Sequence, residues 1–430
     1  MARKVFISIL GTGYYNRTKY YWHDKDDFVE TRFIQEATLT FLTQDWGGKD
    51  KVFLFLTAAA KEKNWLSPAQ KDDPRVKNGE RATYKGLEER IKELKLSYVY
   101  KEIPEGNDEN QIWKIFQTVF DSLDEQDELY FDITHAFRSI PMLVMVLINY
   151  AKFLKKIKVS GITYGNWEGR EKESNLAPII DLSAFSELQD WTSAAGLFAQ
   201  AGRVDGIRDL LERNGINAKG MDFTGDILTC RGLDILRGNK VQELKNNLKK
   251  LDTGIKPFKA LKEKLLTELR PFGQNKPYNG FHAVQFCLNY GLVQQGITLL
   301  LESIVTFVMK DIGINEMDKI KSYRNRNLIT VALQKEKIED IDFEKFLTPN
   351  DCNCESSKAK KIKRYTHWCE SVFALGYKND LTRKVFLKLS KDIRNDINHA
   401  GFRTNPILAE KFNCLLHDIF NTTKRILGVN

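Results

Sequence analysis

The sequence predicts an α/β N-terminal domain followed by an all-α remainder, and three observations carry that reading. Over the first ~180 residues, short apolar runs alternate with amphipathic stretches of helical length, the pattern of a parallel, doubly wound sheet. From about Ser183 the alternation stops and helical patterning continues alone. Polar residues gather just past the apolar runs, where sheets of this kind open their ligand crevice.

Taken in order, Val5 to Leu10 is the first strand, and Gly11-Thr12-Gly13 lets the chain turn sharply after it. An amphipathic helix over Phe28 to Trp46 leads to a second strand, Val52 to Leu56, closed by Thr57. Ala82 to Leu94 reads as helix, Ser97 to Ile103 as strand, and Glu109 to Leu123 as helix. The strand Glu128 to Ile133, the helix Ser139 to Lys155 and the strand Val159 to Tyr164 complete the pattern.

The strand ends carry the candidate ligand site. Thr12, Gly13 and Asn16 follow the first strand and Thr57 the second. Asp132, Thr134, His135, Arg138 and Ser139 follow the strand Glu128 to Ile133, at a strand-to-helix turn where backbone donors and an arginine can hold phosphates. Gly11-x-Gly13 lacks the third glycine of a dinucleotide fingerprint, and there is no Walker A sequence. Thr134 as a helix cap and His135 as a satisfied structural residue remain open beside ligand binding.

The remainder divides into a helical coupler over 184–273 and a helical domain over 274–430, behind a sheet domain over 1–183. Ala194 to Ala201, Asp205 to Arg213, Gly225 to Arg237 and Val241 to Leu251 are the coupler's helices; no DNA-recognition helix stands out among them. In the back domain Gly280 to Asp311, Lys384 to Ala400 and Asn405 to Leu427 are helical. Helical spacing puts Asn395 and His399 on one face with Arg394 beside them. An imidazole that titrates near neutrality and a permanent cation suit phosphodiester chemistry that needs no metal. RNA is the substrate that this chemistry fits, because its 2′-hydroxyl is a nucleophile already beside the scissile phosphate. One copy supplies half of a general acid and base pair, so a symmetric dimer is expected. An Arg and a His at this spacing also occur on solvated helix faces.

Two motifs resemble known families. Arg394-Asn395-x-x-x-His399 resembles the R-x4-6-H motif of HEPN ribonucleases, and the run Asn289 to Glu302 resembles an early HEPN helix of type III CRISPR effectors. Asp132-x-Thr134-His135-x-x-Arg138 resembles the D-x-T-H signature of a subgroup of CARF proteins, Rossmann-fold sensors of CRISPR systems. The resemblance implies a homodimer or higher symmetric oligomer that binds cyclic oligoadenylate, tetra-adenylate favoured, and then cleaves single-stranded RNA. It implies ligand contacts at Thr12, Gly13 and Asn16. It also implies slow cleavage of the messenger, with Thr12, Thr57 or His135 as agents. A messenger-binding regulator whose helical middle binds DNA or a partner is the alternative, and a messenger-independent toxin-like ribonuclease is a second.

Formal net charge is +9, which favours polyanionic partners. The basic run Lys358 to Arg364 before Tyr365 suits single-stranded RNA or a plain solvated face. The N-terminus has no signal-peptide layout, and the longest apolar run, Ile140 to Leu154, is broken by Asn149 and Lys152 and shorter than the ~20 residues of a membrane span. A cytoplasmic protein with reduced cysteines and no required cofactor or metal is expected. Cys352, Cys354, His367 and Cys369 have zinc-ligand chemistry at irregular spacing, with reduced thiols near a loop as the plainer reading.

Overall fold

The structure, a computed structural model, describes residues 2–66, 85–135, 140–216, 218, 222–252, 258–315, 322–348, 355–402 and 404–429. The chain forms two compact units, Met1–Glu187 and Leu188–Asn430.

The first unit runs β1 (Lys4–Leu10), β2 (Thr18–Tyr21), β3 (Phe28–Thr31), α1 (Ile34–Leu42), β4 (Lys51–Leu56), α2 (Leu87–Glu93), β5 (Tyr98–Glu102), α3 (Glu109–Phe120), β6 (Glu128–Asp132), α4 (Ile140–Lys155), β7 (Lys158–Gly165) and β8 (Leu176–Asp181). They build one eight-stranded sheet in the order β3-β2-β8-β7-β6-β1-β4-β5. The five strands β7, β6, β1, β4 and β5 are mutually parallel, as the alternation predicts.

The other edge corrects the expectation of an all-parallel sheet. β8 runs antiparallel to β7, and β2 and β3 form an antiparallel hairpin. The amphipathic stretch expected from Phe28 is therefore a strand first, and the helix starts at Ile34. Side-chain alternation builds a core on each face of the central strands. Val5, Ile7 and Ile9 of β1 pack with Ile115 and Val119 of α3 and Leu147 and Ile148 of α4. Phe6 and Leu10 join Leu39 of α1 and Leu87 and Ile91 of α2 on the other face.

The second unit is helical among its described residues. Its elements are α5 (Ser183–Ala201), α6 (Asp205–Arg213), α7 (Phe223–Leu228), α8 (Gly232–Arg237), α9 (Asn239–Lys250), α10 (Phe258–Leu269), α11 (Asn279–Asn289), α12 (Val293–Asp311), α13 (Ser322–Gln334), α14 (Glu355–Ala374), α15 (residues 378–398) and α16 (Lys411–Leu427). Trp191 and Leu211 near its front share one core with Leu300, Ile329, Phe386 and Leu416 behind them. Two helices expected as continuous are broken: Gly225 to Arg237 at Cys230 and Gly280 to Asp311 at Gly291, with positive φ at both. Each break folds the apolar faces of the flanking helices back onto that core.

Candidate functional site

From β1 the parallel strands run outward one way through β4 and β5, and from β6 the other way through β7. β1 and β6 are neighbours, so the switch point falls between them and the crevice opens past their carboxyl ends. The two polar clusters read from the sequence follow those two strands.

The loop after β1 is held by residues distant in sequence. Asn64 Nδ2 donates to the carbonyl oxygens of Gly11 and Gly13 at 2.7 and 3.0 Å. Arg32 Nη1 donates to Tyr15 O at 2.8 Å and to the Tyr14 hydroxyl at 3.3 Å. Tyr15 folds back so closely that a Cβ at position 11 would lie 2.6 Å from its hydroxyl, which is why Gly11 lacks a side chain. Thr12, Gly13 and Asn16 are exposed on this loop.

Asp132 is an interior strut rather than a ligand contact, being 1% exposed. Ser8 Oγ donates to its Oδ2 at 2.7 Å, and the backbone N and Oγ1 of Thr134 donate to its Oδ1 at 3.1 and 2.5 Å. Gln35 Nε2 donates to Ser8 Oγ at 3.2 Å, and Thr134 Oγ1 accepts from Gly165 N at 2.8 Å, so the network joins β1, β6 and β7. Burial raises the Asp132 carboxyl above its ordinary value, and these donors oppose the rise. His135 stacks on Tyr15 with ring centroids 4.3 Å apart, and withdrawal from water lowers its imidazole to about 4. A neutral His135 brings no positive charge to a phosphate at neutral pH.

Thr57 is also structural, being 1% exposed, and its Oγ1 caps the helical turn after β4 by accepting from Ala60 N at 3.3 Å. Arg138 and Ser139 lie outside the described residues. Cations that the sequence reading missed stand at the strand ends. Arg32 follows β3, and Arg170, past β7, stacks 3.6 Å over the Trp167 ring and donates to Trp167 O at 3.0 Å. Arg32 was hidden inside a stretch read as one helix, and Asn64 carries no local signal.

In the helical unit, α15 contains two π-helical segments, Thr382–Phe386 and Lys388–Ile393, before the regular turn Arg394–Asn398. Its start is anchored by Lys378 Nζ on Lys335 O at 2.7 Å and Thr382 Oγ1 on Leu333 O at 2.9 Å. The spacing of four survives at the end, where His399 N donates to Asn395 O at 2.9 Å. Asn395 and His399 are exposed and Arg394 is half-buried beside them. Asp396 faces inward at 1% exposure; its Oδ2 accepts from Ile407 N at 2.8 Å and its carbonyl from Gly401 N at 3.0 Å. Ala400 and Gly401 then take φ of 52° and 74°, which ends the helix and leaves His399 on its last turn. The last turns of α15 thus carry a cation, an amide and an imidazole, residue types that can hold a phosphate and move a proton.

Cys352 and Cys354 lie outside the described residues. On α14, His367 is exposed while Cys369 is buried in the core, its thiol pushed up to about 12 by burial, so these two do not face a common ion. Among the described residues no helix is long and apolar enough to cross a membrane.

Three comparisons with known proteins bear on these sites. Residues 5–168 match the family model described as CRISPR system endoribonuclease Csx1, CARF domain. The chain is 35% identical over 115 residues to CRISPR-associated protein MJ1674 of Methanocaldococcus jannaschii, a stretch covering 26% of this chain and 18% of that relative. It is also similar to a solved structure, Enterococcus italicus Csm6 bound to cyclic hexa-2′-fluoro-hexa-dAMP, at 11% identity and a TM-score of 0.40, covering 99% of this chain and 94% of the other. The family match lies wholly within the first unit and takes in both strand-end clusters. That unit is a CARF-type, Rossmann-like sheet, and a mostly helical region follows it.

Proposed function

We propose that this chain is a cyclic oligoadenylate-activated, metal-independent endoribonuclease of type III CRISPR defence, with a HEPN-type nuclease domain in its helical unit. What supports the reading is that the end of α15 carries exposed Asn395 and His399 and half-buried Arg394, in a chain whose first 168 residues include a CARF match. The crevice past β1 and β6 suits a ring of phosphodiesters: Arg32 and Arg170 bring cations to the strand ends, and the exposed Thr12, Gly13 and Asn16 bring polar contacts.

In the nuclease site His399 exchanges protons with the attacking 2′-hydroxyl or the leaving oxygen. Arg394 neutralises the charge that grows on the phosphorane, and Asn395 orients the imidazole or the phosphate. Two protomers supply the acid and the base. The products carry 2′,3′-cyclic phosphates; finding 3′-hydroxyl ends contradicts the mechanism.

The test is cleavage of a fluorophore-quencher single-stranded RNA in EDTA, with no messenger, cyclic tetra-adenylate or cyclic hexa-adenylate. One ring switches on wild-type cleavage, and His399→Ala lowers it by about 10²–10⁴-fold. A wild type that binds a ring yet cuts nothing makes the messenger-binding regulator the better account. Cleavage of the ring itself is a separate proposal. With the Thr57 hydroxyl committed to its cap, Thr12 and His135 are the agents left, and a ring unchanged after long incubation with excess protein removes it.

A further inference from the structure

Between α8 and α12 the helical unit holds a cavity of about 250 Å³. That is below the ~300–1,000 Å³ of pockets that take drug-sized ligands, and it suits one nucleobase. Its wall on α12 presents Thr298, Glu302 and Thr306 at successive spacings of four. Cys230 also lines the cavity, its Sγ lying 4.0 Å from Gln295 O of α12. α12 itself packs against the part of α15 that carries Arg394.

The polar floor is fixed in one orientation. Arg326 Nε and Nη2 both donate to Glu302 Oε2, at 2.9 and 2.7 Å. Nη2 also donates to Glu302 O at 2.6 Å, and Nη1 to Thr306 Oγ1 at 3.0 Å. Arg326 is thereby occupied as a clamp, and Glu302 Oε1 takes no hydrogen bond from the described residues. The Glu302 side chain lines the cavity and is 43% exposed, which leaves room for a ligand to approach it.

A carboxylate oxygen only accepts hydrogen bonds. Adenine, guanine and cytosine each offer an exocyclic amino group to it. Uracil offers only N3–H, flanked by two carbonyl oxygens whose lone pairs face the carboxylate. We propose that this cavity is a base subsite next to the nuclease patch: it takes an amino-bearing base of the RNA and disfavours uracil, with Glu302 as the specificity-determining residue. The choice of RNA as the source of the base rests on the nuclease reading above.

Cys230 on the pocket wall gives a readout that does not depend on cleavage, with exposed Cys414 as internal reference. The full-length protein is alkylated with N-ethylmaleimide in the presence of the 3′-monophosphates of adenosine, guanosine, cytidine or uridine, and both cysteines are followed by peptide mass spectrometry. The three amino-bearing nucleotides protect Cys230 at about tenfold lower concentration than uridine 3′-monophosphate. Glu302→Gln, which can donate to a uracil carbonyl, narrows the contrast to about threefold or less. Thr298→Leu fills the cavity and removes protection by all four. Equal protection by all four, or none, overturns the subsite and leaves the nuclease reading untouched. Selective protection in a protein that cleaves no RNA removes the nuclease reading and the substrate assignment, and leaves a nucleotide pocket.

Discussion

A histidine that resists protonation in the folded state makes stability depend on pH. His135 drops from 6.5 to about 4 on folding, so the unfolded chain binds more protons between those values. Its contribution is complete above pH 6.5 and is lost as pH falls through about 4, up to about 3 kcal/mol in total. Asp132 works in the opposite sense, because its raised value gives stability at low pH that is lost as pH rises through the folded-state value. Thermal denaturation from pH 7 to pH 4 therefore falls less steeply in His135→Gln than in wild type, and more steeply in Asp132→Asn. Matching slopes in all three proteins would show that neither side chain is as buried as described. The positions of Thr134 and His135 were legible because strand ends are marked locally by a change from apolar to polar residues. Arg32 and Asn64 were not, since each acts on a loop 17 to 53 residues away that only the closed sheet brings near. On the proposed function, replacing Arg32 with Ala weakens cyclic oligoadenylate binding by about 10–100-fold in a titration, the scale of one charge-assisted hydrogen bond.

Helix ends decide where the proposed nuclease patch sits. α15 stops because Ala400 and Gly401 both adopt left-handed backbone, a conformation costly for a residue with a Cβ. Ala400→Gly is expected to stabilise the protein by about 1 kcal/mol and Gly401→Ala to destabilise it by a similar amount, read from chemical denaturation. The interior of α15 was only partly legible. The helical run read over Lys384 to Ala400 is helical, but the two π-helical segments within α15 have no signature in apolar spacing. The hairpin of β2 and β3 was lost for a related reason. Each strand is four residues long, too short for alternation to separate it from the helix that follows.

At the scale of the whole chain, the change from alternating to purely helical patterning near Ser183 anticipated a sheet unit and a helical unit, and the structure divides the chain at Glu187. Composition alone did not show how the helical residues share a core, because any amphipathic helix can find any partner. If the sheet unit binds a ring and the helical unit cleaves RNA, activation is a coupling free energy between two sites, limited by the ring's different affinities for the two states. Thermodynamic linkage then makes the effect mutual: a ring that tightens RNA binding by a given factor is itself bound more tightly by that factor when RNA is present. His399→Ala permits the measurement, since it removes cleavage while its side chain is exposed and outside the core. Ring affinity of this variant, titrated with and without saturating single-stranded RNA, shifts by about 5–150-fold, the usual range of allosteric coupling. RNA affinity shifts equally when the ring is the saturating ligand. Unequal factors are thermodynamically forbidden and would expose a titration out of equilibrium. Two factors of one mean that the ring does not act through RNA affinity, so activation must then come from alignment of Arg394 and His399 alone.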